Sequence, residues 1–394
     1  MPLLWFSLFL SLVTVGCQKK NSDSQENGAP IVQTLQYYNH YPFNFVYTAP
    51  VTLGGQVIET VLDTGSSNLL VIGDATQCPG CVNEYGYDST YTPSASGHAL
   101  TSAWTMNFLP IGSATVNGHQ DTAKFAGVTL PNFSFGLVIE EQGIPNIWGL
   151  AYAQLARPSL APQPPLFDTL VQAQNLQNQF SLRLCGSKTG SRAVFGGFDS
   201  AVAMEQVKWT PIQGKNWYVI NVTSMDMQPS GDLTSSWSWQ PSESETLIVD
   251  SGTNPLVLPS DQVDALVVVL KEIATAASIS IPDAFWPTTG PGSATALTDA
   301  QVAQFPPITL TLENQQDAAN PVSLSISPSI YFQTQADGQR FLGIEPGSSS
   351  LFILGTVLME NYVTLHDRGS LSVTAPNPDP AARLGFFPVA GLCL

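Results

Sequence analysis

The chain has 394 residues, which is enough for one large globular unit or for two lobes of ordinary domain size. An apolar content of 43% excludes a mostly disordered chain, and a net charge of −17 with only 13 basic residues argues against a nucleic-acid-binding protein. The 31 glycines and 30 prolines favour many short strands joined by turns.

The chain begins with an apolar run that is typical of an export signal. Residues 1–16 contain this run and are predicted to be a signal peptide, because the run is too short to cross a bilayer. It ends at Val15-Gly16-Cys17, which resembles a bacterial lipoprotein signal, in which the cysteine is lipid-modified after cleavage. We therefore expect a periplasmic or outer-membrane lipoprotein anchored through Cys17, with ordinary secretion as the alternative.

The segment after this cysteine predicts a spacer. Residues 17–36 are polar and rich in Asn, Ser and Gln, so we expect a flexible tether before a folded body that begins at Tyr37.

From Tyr37 onward, short apolar runs between turns predict a succession of strands. The clearest are Phe45–Thr48, Gln56–Leu62, Leu69–Ile72, Gln179–Leu184, Ala193–Phe195, Trp217–Val222 and Thr246–Val249. Helices are predicted at Phe167–Gln174, after a proline, and at Ser260–Ala276, with Ser260 as the N-cap.

A two-part pattern occurs twice in the chain. The segments Thr60–Ser66 and Leu247–Thr253 each contain apolar residues followed by Asp, Thr or Ser, Gly, and Ser or Thr. The segments Ile147–Leu150 and Ile353–Thr356 are apolar-glycine sequences that each follow an Asp motif by roughly a hundred residues. Two copies, about half a chain apart, predict two similar lobes.

The repeated motif also indicates a reaction. Two carboxylates held close together cannot both ionise cheaply, so they share one proton. The ionised member can then take a proton from water while the protonated member donates a hydrogen bond to a peptide carbonyl oxygen. Asp63 and Asp250 are therefore the predicted catalytic pair, and no metal or cofactor is expected. Hydroxyl donors and tight turns around them are predicted from the residues that follow: Thr64, Gly65, Ser66, Ser251, Gly252 and Thr253.

From about Tyr37 to Leu394 the sequence resembles the pepsin-like aspartic proteases. Further matching segments are Phe195–Asp199, Trp209–Ile212, Trp217–Val219, Leu354–Val363 and His366–Arg368, while Gly149–Pro158 and Phe180–Cys185 look closest to the memapsin (beta-secretase) branch. The resemblance implies a mostly β, bilobal bacterial pepsin homologue with its active site between residues 37–205 and 206–394. It also implies that Thr64 and Ser251 brace the two Asp loops together. The shared proton is the known behaviour of carboxylate pairs in this family.

Two positions depart from the family pattern. A Trp is common two residues after the Asn of the first motif, and Leu70 stands there instead. The flap hairpin usually carries a Tyr, whereas alignment puts Phe108 or Leu109 at that place. In pepsin the side chains of this Trp and this Tyr are hydrogen-bonded to each other, so the loss of both can be one coordinated change.

The cysteines other than Cys17 predict disulfides. Cys78-Pro-Gly-Cys81 could be half a zinc site, a redox pair or a small structural disulfide. The absence of a second matched pair and the Gly/Asn-rich loop favour the disulfide. The resemblance to memapsins implies that Cys185 is joined to Cys393.

The expected function is that of a monomeric aspartic endopeptidase that acts on peptides or proteins at acidic pH and has no nucleic-acid partner. Contact with a membrane is expected only through the lipid anchor. Residues 18–36 contain only two basic residues, unlike a pepsin-type prosegment, so activity is expected without zymogen cleavage. The alternative is a pepsin-fold binding or inhibitor-like protein that has lost catalysis. Such proteins usually lose an Asp or a Gly of the motif, and both motifs are intact here.

Overall fold

The computed structural model describes residues 28–40, 44–81, 89–108, 112–158, 163–214, 216–228, 235–242, 245–317, 319–347, 351–370, 379 and 381–394. The predicted signal peptide, Cys17 and the flap candidate Leu109 lie outside these ranges. Within them, no helix has the length and apolar character needed to cross a membrane.

The described residues form a mostly β protein, which confirms the predicted fold class. Strands of the first half are β1 (Ile31–Thr34), β2 (Gln36–His40), β3 (Asn44–Leu53), β4 (Gln56–Asp63), β5 (Leu69–Ile72), β6 (His98–Phe108), β7 (Gly112–Phe125), β8 (Val128–Gln142), β9 (Ile147–Gly149), β10 (Gln179–Arg183) and β11 (Arg192–Phe195). Strands of the second half are β12 (Lys208–Pro211), β13 (Val219–Ile220), β14 (Val222–Met227), β15 (Trp237–Trp239), β16 (Thr246–Val249), β17 (Leu256–Pro259), β18 (Ile308–Leu312), β19 (Val322–Ile326), β20 (Phe332–Thr334), β21 (Arg340–Leu342), β22 (Ile344–Gly347), β23 (Leu351–Leu354), β24 (Tyr362–Asp367) and β25 (Arg383–Pro388). The α-helices are α1 (Leu166–Gln174), α2 (Ser260–Ala276), α3 (Asp299–Val302), α4 (Pro328–Tyr331) and α5 (Thr356–Met359).

The sheets divide between the two halves of the chain, as expected for a bilobal protein. The first half forms an eight-stranded sheet in the order β2-β3-β4-β9-β5-β8-β7-β6. The second half forms a five-stranded sheet, β13-β16-β23-β17-β22, a four-stranded sheet, β15-β14-β18-β19, and the β20–β21 pair. A six-stranded sheet, β1-β11-β10-β24-β25-β12, takes three strands from each half and joins them.

The repeat seen in the sequence is confirmed in the strand pairing. In the first half, β4 runs parallel to β9, which is antiparallel to β5, and Asp63 lies opposite Gly149. In the second half, β16 runs parallel to β23, which is antiparallel to β17, and Val249 lies opposite Leu354. Each Asp motif is therefore the loop between the two outer strands of such a trio.

Apolar burial holds this framework together. Phe125, Trp148 and Phe195 are fully buried, and the Trp148 ring centroid lies 4.6 Å from that of Phe125 and 5.0 Å from that of Phe195. Trp148 belongs to the apolar-glycine segment itself, so the core fixes the strand beside the first Asp motif.

The folded body begins before Tyr37, so the predicted tether of residues 17–36 is too long. Ile31–Thr34 form β1, in which Ile31 lies opposite Phe195 of β11. Without β1 the backbone groups of β11 would lie unpaired at a sheet edge, and pairing them favours order in this short segment.

Two local predictions in the second half are wrong in detail. Helix α2 has the predicted bounds, but Ser260 is its first residue, Pro259 is its N-cap, and the Ser260 hydroxyl donates to the Gly347 carbonyl at 3.2 Å. The single strand predicted at Trp217–Val222 is divided into β13 and β14, which belong to different sheets.

Candidate active site

Asp63 is the last residue of β4, and the loop that follows satisfies both of its carboxylate oxygens. The Gly65 amide donates to Oδ1 at 2.7 Å, and the Ser66 hydroxyl donates to Oδ2. Ile58, Val61 and Leu62 of β4 are buried, which carries the carboxyl group into the interior.

Asp250 has the same environment at the end of β16. The Gly252 amide donates to Oδ1 at 2.8 Å, and the Thr253 hydroxyl donates to Oδ2 at 2.8 Å. The two aspartates therefore have matching partners, one backbone amide and one hydroxyl each.

Glycine is required after each aspartate because the opposite carboxyl group comes close. A Cβ atom on Gly65 would lie 2.5 Å from Asp250 Oδ2, and one on Gly252 would lie 2.6 Å from Asp63 Cγ. Any larger residue would push the two carboxyl groups apart.

Hydroxyl groups of Thr64 and Ser251 link the two loops. The Thr64 hydroxyl donates to the Val249 carbonyl at 2.9 Å and accepts from the Ser251 amide at 2.9 Å. The Ser251 hydroxyl donates to the Leu62 carbonyl at 2.7 Å and accepts from the Thr64 amide at 3.1 Å. Four reciprocal hydrogen bonds thus fix the relative position of the aspartates.

The electrostatics of the pair favour a shared proton. Asp63 and Asp250 are 6% and 7% exposed, and each carboxyl group lies close to the glycine of the opposite loop. Burial raises the pKa of Asp63 well above its usual range, and the neighbouring Asp250 charge raises it further, against the opposing effects of Ser66 and Gly65. The pair therefore holds a proton at a pH where exposed carboxyl groups have lost theirs.

Two aromatic residues of the second half, in a segment that matches the family, contact the first half beside this centre. The Trp217 indole donates to the Gly65 carbonyl at 2.8 Å, and the Tyr218 hydroxyl donates to the Leu150 carbonyl at 2.6 Å. Their partners lie in the other half, so no local signal in the sequence could have indicated these contacts.

The flap candidate Phe108 is the last residue of β6, in the hairpin formed by β6 and β7. Phe108 lies opposite Gly112, and with Trp104 it packs on an apolar cluster that contains Leu70. Leu70, in the place where the family commonly has Trp, is fully buried. A Cβ atom on Gly136 would lie 2.5 Å from Leu70 and 3.2 Å from the Trp104 ring. The hairpin therefore supplies the indole that packs beside this position.

Both expected disulfides are present, Cys78–Cys81 and Cys185–Cys393. With their sulfurs bonded to each other, Cys78 and Cys81 have no free thiolates for zinc. In the described ranges, no cluster of three or more His, Cys, Asp or Glu side chains could hold a metal ion.

Comparison with known proteins places the chain in a family. The sequence profile of the eukaryotic aspartyl proteases matches residues 46–376. The chain belongs to this family. It is 26% identical over 367 residues to pepsin A of Suncus murinus, covering 89% of this chain and 82% of that protein. It is 27% identical over 331 residues to gastricsin of Homo sapiens, covering 79% and 75%. It is 25% identical over 366 residues to cathepsin E of Aquarana catesbeiana, covering 87% and 79%.

Membership of the aspartyl protease family agrees with the geometry of the site. The two buried aspartates lie in loops of matching construction, one from each half.

Proposed function

We propose that the protein is an aspartic endopeptidase, which hydrolyses peptide bonds with a water activated between Asp63 and Asp250. The observation that supports this most strongly is the pair itself: two buried carboxyl groups in facing loops, each held by a backbone amide and a hydroxyl.

The chemistry needs one proton on the pair. The ionised carboxylate accepts a proton from water as the water oxygen bonds to the carbonyl carbon, and the protonated carboxyl donates its proton to the carbonyl oxygen. When the C–N bond of the resulting tetrahedral diol breaks, the carboxyl that took the proton from water donates it to the leaving nitrogen. One diol hydroxyl gives its proton to the other carboxylate, so the pair again holds one proton. The glycine amides and the Ser66 and Thr253 hydroxyls hold the carboxylate oxygens in place throughout.

The same proton requirement favours activity at acidic pH. As the pH rises, the pair loses its shared proton, and no group remains to protonate the carbonyl oxygen. Activity is therefore expected to fall toward neutral pH, and a profile that is flat through neutral pH would contradict this part of the proposal.

The direct test replaces each aspartate by the isosteric amide. Asp63→Asn and Asp250→Asn are each expected to abolish cleavage of a quenched peptide library at acid pH, with unchanged near-ultraviolet circular dichroism. A statine-type transition-state mimic should block the unmodified enzyme. More than a few per cent of activity in either variant would contradict the mechanism, and an inactive wild-type protein would favour the binding or inhibitor-like alternative.

Several finer features belong to the proposal. We place the boundary between the lobes at residues 205 and 206, just before β12, and we propose a monomer of bacterial origin and of the memapsin branch, on the segments that resemble that branch. Export with a lipid on Cys17 is proposed on the Val15-Gly16-Cys17 pattern. Activity without zymogen cleavage is proposed on the composition of residues 18–27, which contain two basic residues.

A further inference from the structure

The five-stranded sheet of the second half has a second apolar face, opposite the face that packs on the main core. Side chains alternate between the faces along a strand, so in β16 Leu247 and Val249 contribute to the core and Ile248 lies on the other side. Register pairs continue this second face across all five strands. The row consists of Val219, Ile248, Ile353, Val257 and Glu345. We call it the cross-strand row.

The cross-strand row adjoins the catalytic pair. Asp250 directly follows β16, and its amide extends the pairing with β23 by donating to the Leu354 carbonyl at 3.2 Å. Ile248 precedes it by two residues and therefore lies on the same side. Trp217 packs against the apolar members of the row, and its indole donates to the Gly65 carbonyl in the first Asp loop. A peptide bound at the aspartates would thus extend over this face.

Glu345 is the one charged member of the row, at its outer end on the edge strand β22. Ile344 is fully buried in the core, so Glu345 projects from the opposite face beside Val257. It is half-buried, and no hydrogen bond or ion pair engages its carboxylate within the described residues. Burial alone raises the pKa of Glu345 to about 7.

Among the described residues, the elements around Glu345 place no unpaired cation beside it. The adjacent strand β17 and the next strand of the sheet, β23, contain no titratable residue. Helix α2 packs against β22 and carries Asp261, Asp264, Lys271 and Glu272. The Lys271 ammonium is 3.0 Å from Asp283, and Arg340 of the preceding strand β21 is paired with Asp299. A half-buried carboxylate without a partner is a costly arrangement that a bound cation would relieve.

We propose that Glu345 selects substrates that carry a lysine or arginine near the scissile bond. The aliphatic stem of that side chain would lie along Val257 and Ile353, and its charged end would meet the Glu345 carboxylate. Three strand spacings separate Glu345 from Ile248, or roughly 14 Å, so a long basic side chain within about three residues of the scissile bond can span the distance. This inference rests on the proposed endopeptidase function.

The test compares peptides that differ only in Lys against Met, scanned over three positions on each side of the cleaved bond. Ionisation of the catalytic pair changes the kcat/KM values of both peptides by the same factor, so it does not affect their ratio. If the bound cation lowers the pKa of Glu345 by one unit, the ratio rises about threefold between pH 4 and pH 6.5 at the responsive position.

Two variants identify the group responsible. Glu345→Gln is expected to make the ratio of kcat/KM values independent of pH. The matched control is Glu360→Gln, which removes another carboxyl group whose pKa is raised to about 7, and it is expected to retain the increase of the ratio with pH. A ratio that is flat in the unmodified enzyme at every position, or a rise that persists in Glu345→Gln, would overturn the inference.

Binding of non-hydrolysable statine peptides with Lys or Met separates this inference from the proposed function. Preferential binding of the Lys form that depends on Glu345, without any cleavage, would refute the endopeptidase and support the inference. Equal binding of both forms to the unmodified protein and to Glu345→Gln would refute the inference even if the enzyme cleaves peptides.

Discussion

Glu360 gives the protein a stability that depends on pH. This residue follows helix α5, and its carboxylate accepts a hydrogen bond from the buried Tyr47 hydroxyl, which itself accepts from the Gly186 amide at 2.7 Å. Burial raises the pKa of Glu360 from 4.5 to about 7, against the opposing effect of Tyr47.

The shift converts directly into free energy. A difference of about 2.5 pKa units at 1.36 kcal/mol each corresponds to about 3 kcal/mol. The sign follows from the folded-state pKa being the higher one. The stability contributed by neutral Glu360 is fully present below pH 4.5 and is lost as the pH rises through about 7.

The variant Glu360→Gln keeps the acceptor for Tyr47 and cannot ionise. Urea unfolding at pH 5 should give free energies of unfolding that differ by about 1 kcal/mol or less between the variant and the unmodified protein. At pH 8 the variant should be more stable by about 3 kcal/mol. Tyr47→Phe is the matched control, and its free energy of unfolding should change in the opposite direction. The substitution removes the hydroxyl that stabilises ionised Glu360, so the loss of stability relative to the unmodified protein should grow with pH. A difference between Glu360→Gln and the unmodified protein that is the same at both pH values would refute the reasoning.

Three further results are expected. Gly65→Ala should reduce kcat/KM at least tenfold, because its Cβ would displace the Asp250 carboxyl group, and unchanged kinetics would contradict the assigned packing. Replacing both Cys185 and Cys393 by Ser should lower the free energy of unfolding in urea by about 4–5 kcal/mol, by chain-entropy reasoning. Peptide mapping of the unmodified protein without reduction should recover Cys185 and Cys393 in one linked fragment. Deleting residues 18–27, which leaves β1 intact, should not change the rate on acidification, whereas a gain in rate or the loss of an initial lag would reveal an inhibitory prosegment.

Repetition made the site predictable from the sequence. Each Asp motif alone resembles an ordinary turn, but two copies behind apolar strands, each followed by an apolar-glycine segment, indicated a pair. The structure brings Asp63 and Asp250 together through contacts that the repeat implied, including those of Thr64 and Ser251. The bounds of α2 were also predictable, because its apolar residues recur at helical spacing.

Features that depend on distant partners could not be predicted. The strand β1 has four residues and becomes ordered by pairing with β11, far along the chain. Ser260 suits an N-cap, but the Gly347 carbonyl takes its hydroxyl. Nothing in the sequence distinguishes Glu345 and Glu360 from exposed glutamates. Their burial results from the strands and aromatic rings packed around them.

The six-stranded sheet makes the halves of the molecule interdependent. Its central seam is the antiparallel pairing of β10 with β24, where Phe180 lies opposite His366 and their rings stack at 4.3 Å. If the two halves were produced as separate fragments, each would contain three strands of this sheet with an unpaired edge. Unpaired edge strands can pair with other chains and cause aggregation. A fragment with a single aspartate would therefore lack both the second carboxyl group and the strands that cover its sheet edge.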